Sequence, residues 1–132
     1  MKDTYIFPAV FNYAEDGISI SYPDLAGCLS CADNDEEAMK NSKEALALHL
    51  YGMEVDNEEI PVPTCIKDIQ LEENEIVVLV EVFMPLWRDK IINKTVKKTL
   101  TLPSWLNIEA ERCGINFSQT LQEALKQKLN IC

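Results

Sequence analysis

The alternation of apolar and polar positions divides the chain into short strands followed by amphipathic helices. Ile18-Ser19-Ile20-Ser21-Tyr22 alternates with period two, which predicts a half-buried strand. Tyr5–Phe11, just before it, is rich in β-formers, and Pro8 predicts an edge position or a bulge there. The polar stretch Asn12–Gly17 between the two predicts the turn of a hairpin. Pro23-Asp24-Leu25-Ala26-Gly27 breaks the second strand, after which Cys28–Ala32 can return as a third. The period then becomes helical. Asn34 is a suitable N-cap with Glu37 three residues on, as in a capping box, and Asp35-Glu36-Glu37 suit the positive end of the helix dipole. Ala38, Met39, Ser42, Ala45, Leu46, His49, Leu50 and Met53 form the apolar stripe, with Gly52 as the expected stop. Ile60-Pro61-Val62-Pro63 reads as an extended connector. Ile76–Phe83 is apolar almost without interruption, which predicts a strand buried on both faces and therefore central in its sheet.

A different pattern begins after residue 92. Thr95–Leu102 reads as a strand with Val96, Lys98, Leu100 and Leu102 on one face and Lys97, Thr99 and Thr101 on the other. Pro103 suits the first turn of a helix that runs to about Cys113, and Gly114 closes it. A second helix spans Ser118–Leu129, with Leu121, Ala124, Leu125 and Leu129 apolar. A strand and two helices in so short a stretch cannot bury a core alone, because chains below roughly 40 residues need staples or a partner. Two copies that pair their strands antiparallel and pack their helices together would solve this. Lys97, Thr99 and Thr101 would then share the outer face of a two-stranded ribbon, a shape that fits the major groove of B-DNA.

Charge sharpens this division. The 132 residues carry a net charge of −10. Residues 1–92 hold six Lys/Arg against nineteen Asp/Glu, a net −13, whereas residues 93–132 hold six against three, a net +3. An acidic body repels nucleic acid and attracts a basic protein, while a basic tail approaches phosphate. No apolar run reaches the roughly 18 residues of a membrane span. The first residues show no apolar secretory segment, so a cytoplasmic location is expected.

Little in the body reads as catalytic. The five cysteines are Cys28, Cys31, Cys65, Cys113 and Cys132, an odd count that speaks against a disulfide framework. Cys28-Leu29-Ser30-Cys31 has the C-x-x-C spacing, but a structural zinc site needs about four ligands, and His49 is the only histidine. A metal-dependent nuclease would need Asp16, Asp24, Asp33 and Glu81 to converge. With nineteen acidic residues in the body, scatter is the simpler expectation. No catalytic residue, metal site or cofactor is therefore assigned.

Two stretches carry a resemblance. Lys97-Lys98-Thr99-Leu100-Thr101-Leu102-Pro103-Ser104-Trp105-Leu106, followed by Gly114-Ile115-Asn116-Phe117-Ser118-Gln119-Thr120-Leu121-Gln122-Glu123-Ala124-Leu125, resembles a ribbon-helix-helix DNA-binding domain. Tyr22-Pro23-Asp24-Leu25-Ala26-Gly27-Cys28 is similar to the Pro-Asp-Leu-Pro-Gly-Cys turn of HicB-type antitoxins, with Ala26 in place of the second proline. The resemblance implies an α+β fold: an N-terminal partial RNase H-like sheet with one packed helix over residues 1–86, a linker over 87–94, and a ribbon-helix-helix domain over 95–132. It implies a protein that is not an enzyme, that neutralises a HicA-type mRNA-cleaving toxin, and that represses its own operon as a homodimer or higher oligomer on double-stranded operator DNA. Lys97, Thr99 and Thr101 would read the operator. The backbone N–H groups at Asn116, Phe117 and Ser118 would hold phosphate. Tyr22, Asp24 and Leu25 are the candidates for toxin contact. An orphan repressor whose acidic body binds another ligand or protein is equally compatible with these residues.

Overall fold

A computed structural model describes residues 2–93 and 95–131. They form two compact units, the first ending at Thr95 and the second beginning at Val96. The first unit contains β1 (Thr4–Ala14), β2 (Gly17–Ser21), β3 (Leu29–Ala32), α1 (Asp35–Val55), a 3-10 turn (Ile66–Asp68), β4 (Glu75–Phe83) and α2 (Met84–Ile91). The second contains α3 (Ser104–Arg112) and α4 (Phe117–Leu129). The fold class is α+β, as the sequence predicts.

The four strands form one antiparallel sheet in the order β3-β2-β1-β4. Phe7 lies opposite Val80, Tyr5 opposite Val82 and Phe11 opposite Ile20, so these side chains share one face of the sheet. That face is closed by α1 through Ala38, Ser42, Leu46, Ala47 and Leu50, all fully buried. Small residues at positions 38 and 42 let the first turns of α1 approach the strands. Each large side chain taken out of water here contributes about 2 kcal/mol.

The hairpin turns on Glu15-Asp16, with Ala14 opposite Gly17. Gly17 has φ +138°, and a Cβ there would come within 2.9 Å of the Ala32 carbonyl oxygen, so the turn requires glycine on both counts. Pro8 is neither at an edge nor at a bulge. It sits in β1, inside the sheet, but pairing with β2 ends at Val10 opposite Ser21, so no neighbouring strand needs the N–H that Pro8 lacks.

Three further expectations are corrected. Gly52 does not stop α1. The helix runs on to Val55 and ends at Asn57, which has φ 55°, with the Glu58 N–H donating to the Met53 carbonyl at 2.9 Å and the Asn57 N–H to that of Glu54 at 3.2 Å. These paired bonds satisfy the last carbonyls, which makes Asn57 the effective terminator. β4 is not central but an edge strand, and only Val80 and Val82 of it are buried. Residues 87–94 are not simply a linker. Most of them belong to α2, which begins with fully buried Met84 and packs Trp87 against the core.

In the second unit, Gly114 closes α3 at φ 71°, and Asn116 caps α4 by accepting a hydrogen bond from the Gln119 N–H at 3.0 Å. The strand expected over Thr95–Leu102 is not formed: among the described residues, 95–103 carry no regular structure. A strand exists only through its ladder, and one copy of this segment has no second strand to bond.

Candidate functional site

The Tyr22–Cys28 turn is built inward. Tyr22 is 3% exposed, and its hydroxyl donates to the Ser42 carbonyl of α1 at 2.6 Å. Leu25 is equally buried, and its N–H donates to the Tyr22 carbonyl at 3.1 Å. Neither side chain is available to a partner, so Tyr22 and Leu25 are turn-building residues and leave the set of contact candidates. Asp24 is at the surface, but its carboxylate accepts from both the Thr64 N–H, at 2.9 Å, and the Thr64 hydroxyl. It ties the turn to the Pro61–Cys65 segment, a role that a sequence separation of 40 residues conceals.

The two cysteines of the C-x-x-C spacing part company. Cys28 is buried against α1, its thiol 3.5 Å from the Ala45 carbonyl, and burial pushes the thiol up to about 11. Cys31 is exposed on β3.

Two surfaces of the first unit stand out. One end of the sheet is acidic: the Glu15-Asp16 turn lies beside Asp33 and Asp35 at the start of α1, around an open hollow. Tyr13 donates its hydroxyl to the Asp35 carboxylate at 2.7 Å, and that acceptor raises the phenol above its ordinary range. Asp16 and Asp33 therefore do come close, while Asp24 is engaged with Thr64. Among the described residues, no group of three or more His, Cys, Asp or Glu is arranged to hold a metal ion. The other surface is the sheet face opposite α1, where Ile6, Leu29, Leu79 and Phe83 are all about half exposed or more. Sequence reasoning missed this face. The signal was the uninterrupted apolar run of β4, which places large side chains on both of its faces.

The second unit presents the predicted residues differently. Lys97, Thr99 and Thr101 are exposed, but so are Val96, Leu100 and Leu102, which were expected to face a core. Trp105, Leu106, Phe117 and Leu125 are exposed as well, and no described side chain from Val96 onward is buried. The N–H groups of Phe117 and Ser118 precede the first intrahelical bond of α4, which Thr120 makes to the Asn116 carbonyl at 3.0 Å. They project from the positive end of the helix dipole.

Residues 7–127 match the family described as the HicB-like antitoxin of bacterial toxin–antitoxin systems. The chain belongs to the HicB-like antitoxin family. It is also 35% identical over 104 residues to an uncharacterized 14.9 kDa protein in the rep-hol intergenic region of Haemophilus phage HP1, covering 76% of this chain and 75% of that one. Among solved structures it is similar to a chain of a toxin–antitoxin complex from Streptococcus pneumoniae, at 23% identity and a TM-score of 0.60, over 95% of this chain and 99% of that one. It is similar to the antitoxin HicB of Burkholderia pseudomallei at 16% identity and a TM-score of 0.55, over 95% and 98% of the two chains. The crystal structure of the antitoxin HicB3 matches at 27% identity and a TM-score of 0.52, over 94% and 97%. The antitoxin family is regulatory and neutralising rather than enzymatic. Among the described residues no helix is long and apolar enough to cross a membrane.

Proposed function

We propose that this antitoxin-family protein neutralises a HicA-type mRNA-cleaving toxin through its acidic first unit and represses its own operon through its second. The observation that carries this reading is that charge and burial divide along the same line. Residues 1–92 hold the packed core and a net −13, while residues 93–132 are net +3 and bury no described side chain. A basic RNA-binding toxin complements the first charge, and phosphate complements the second.

The second unit is completed by another copy of itself. Pairing the Thr95–Leu102 segments of two chains gives each backbone a ladder and turns Leu100 and Leu102 toward the α3 and α4 helices of both copies. Lys97, Thr99 and Thr101 then lie together on the outer face, within reach of base edges in a major groove. The Phe117 and Ser118 N–H groups hold the flanking phosphate, with Asn116 fixing the helix start.

A second reading keeps the repressor role without a toxin, and the similarity to a protein from a phage intergenic region favours it. One experiment separates them. The full chain is co-expressed with the small basic protein of the neighbouring reading frame, both as the natural sequence and as a Lys97→Ala, Thr99→Ala, Thr101→Ala variant. The expected result is that the variant loses operator binding in a mobility-shift assay yet still co-purifies with the toxin. Loss of both activities would sink the two-unit assignment. DNA binding without any co-purification would leave the orphan repressor.

A further inference from the structure

The two edges of the sheet are treated differently. β3 is four residues long, packs beneath α1, and has its Cys31 carbonyl taken by the Asn41 side chain at 2.9 Å. β4 is nine residues long, and its outer edge is open. The direction of its backbone groups follows from two bonds. The Met84 N–H donates to the Asp3 carbonyl, and the Tyr13 N–H donates to that of Asn74. Even-numbered residues of β4 therefore bond β1, and the N–H and C=O groups of Val77, Leu79 and Glu81 point outward, as does the Phe83 N–H, while the Phe83 carbonyl caps α2. Among the described residues, no hydrogen bond reaches those outward groups.

A long, apolar, unprotected edge is the usual mark of strand addition. The sequence of β4 also states which strand fits it. Outward groups sit only on odd residues, so a two-fold pairing of β4 with itself has three registers of large overlap. Centring it on Val78 sets Glu75 against Glu81, two like charges directly opposed. Centring it on Val80 leaves Glu75 beyond the end of the partner strand. Centring it on Leu79 overlaps all nine residues, puts Val77 opposite Glu81 and Glu75 opposite Phe83, and keeps the carboxylates apart. Only this register uses the whole strand without a like-charge pair. It also brings the half-exposed Leu79 side chains of the two sheet faces alongside one another across the axis.

We propose that the free edge of β4 pairs antiparallel with β4 of a second copy of this chain, Leu79 opposite Leu79 on the two-fold axis. The interface is isologous and makes one continuous eight-stranded sheet from two first units. It is separate from the pairing of the second units and does not depend on it.

The test places Leu79→Cys in a full chain whose Cys31, Cys65, Cys113 and Cys132 are serine. Hydrogen-bonded antiparallel partners lie about 5.5 Å apart at Cα, within disulfide range. The expected result is a disulfide-linked pair, whereas Leu29→Cys, more exposed but on β3, stays unlinked under the same oxidation. Hydrogen exchange gives the second readout: the Val77, Leu79 and Glu81 N–H groups are protected in the natural chain. In Leu79→Pro, which removes the outward donor at position 79 without touching the β1 ladder, the Val77 and Glu81 N–H groups become solvent-exchanging, and circular dichroism checks that this variant remains folded. Fast exchange of these groups in the natural chain, or linkage at Leu79 no greater than at Leu29, would overturn the proposal. So would protection that appears only when the toxin is added, since β4 would then take the toxin's strand. Operator binding by Leu79→Pro is expected to survive, which keeps a failure here distinct from a failure of the second-unit reading.

Discussion

Tyr22 and Cys28 hold the turn between β2 and β3 onto α1 through two contacts that both require a proton. Burial raises the Tyr22 phenol far above its ordinary range, the neighbouring Cys28 adding to this, and lifts the Cys28 thiol from 9.0 to about 11. The fold thus favours the protonated forms. Their contribution is complete below the unfolded-state value and is lost as pH rises through the folded one. The urea midpoint, followed by circular dichroism, is expected to fall between pH 9.0 and about 11, and Cys28→Ala to flatten the lower part of that slope. An unchanged slope in Cys28→Ala would show that the thiol is not the titrating group. The turn was legible in the sequence as a motif, but its orientation was not. Tyr22-Pro23-Asp24-Leu25 has the composition of an exposed loop, and only the arrival of α1 through Ser42 and Ala45 decides that Tyr22, Leu25 and Cys28 face inward. Asp24 was singled out as a contact candidate, but its bond to Thr64 was not legible, since that partner is remote in the chain.

At the scale of elements, α2 is the clearest case of a signal overlooked. Arg88-Asp89-Lys90 gives residues 87–94 the polarity of a linker, yet Met84, Trp87 and Ile91 stand at helical spacing, with Pro85 in the first turn. The helix is held by Arg88, whose guanidinium donates to both Glu54 carboxylate oxygens, at 3.0 and 2.7 Å, and to the Lys2 carbonyl at 2.9 Å. Glu54 lies in the last turn of α1, past Gly52, so extension of α1 beyond its expected stop supplies the partner that α2 needs. The Glu54 side chain is only 5% exposed. Arg88→Ala strands that carboxylate without a counter-charge and is expected to lower stability by about 3 kcal/mol in thermal or urea unfolding. Arg88→Ala with Glu54→Leu, which removes the stranded charge, is expected to recover part of the loss. No recovery would mean that Arg88 acts through packing alone. β4 carries the complementary lesson. An unbroken apolar run reports that both faces meet something apolar, but periodicity cannot say whether the second face meets the same chain.

For the molecule as a whole, the division of charge was fully legible from composition, and the missing strand over Thr95–Leu102 follows from the same limit as β4. A single chain shows only the backbone ladders that it completes by itself. The charge division also makes ionic strength a probe of both units. If, as proposed, Lys97 and the start of α4 hold operator phosphates, binding releases counterions, and affinity is expected to fall at least about a thousand-fold between 50 and 200 mM salt, as ~6 phosphate contacts in a dimer require. The toxin binding proposed for the acidic first unit is expected to weaken with salt as well, but through Asp and Glu rather than Lys. The two slopes therefore respond to different substitutions. Lys97→Ala is expected to flatten the salt dependence of DNA binding measured by fluorescence anisotropy and to leave that of toxin binding unchanged. Asp33→Asn with Asp35→Asn, at the acidic end of the sheet, is expected to do the reverse. A flat salt profile for the natural chain on its operator would remove the second unit from DNA binding, because no arrangement of its lysines on phosphate is independent of counterions.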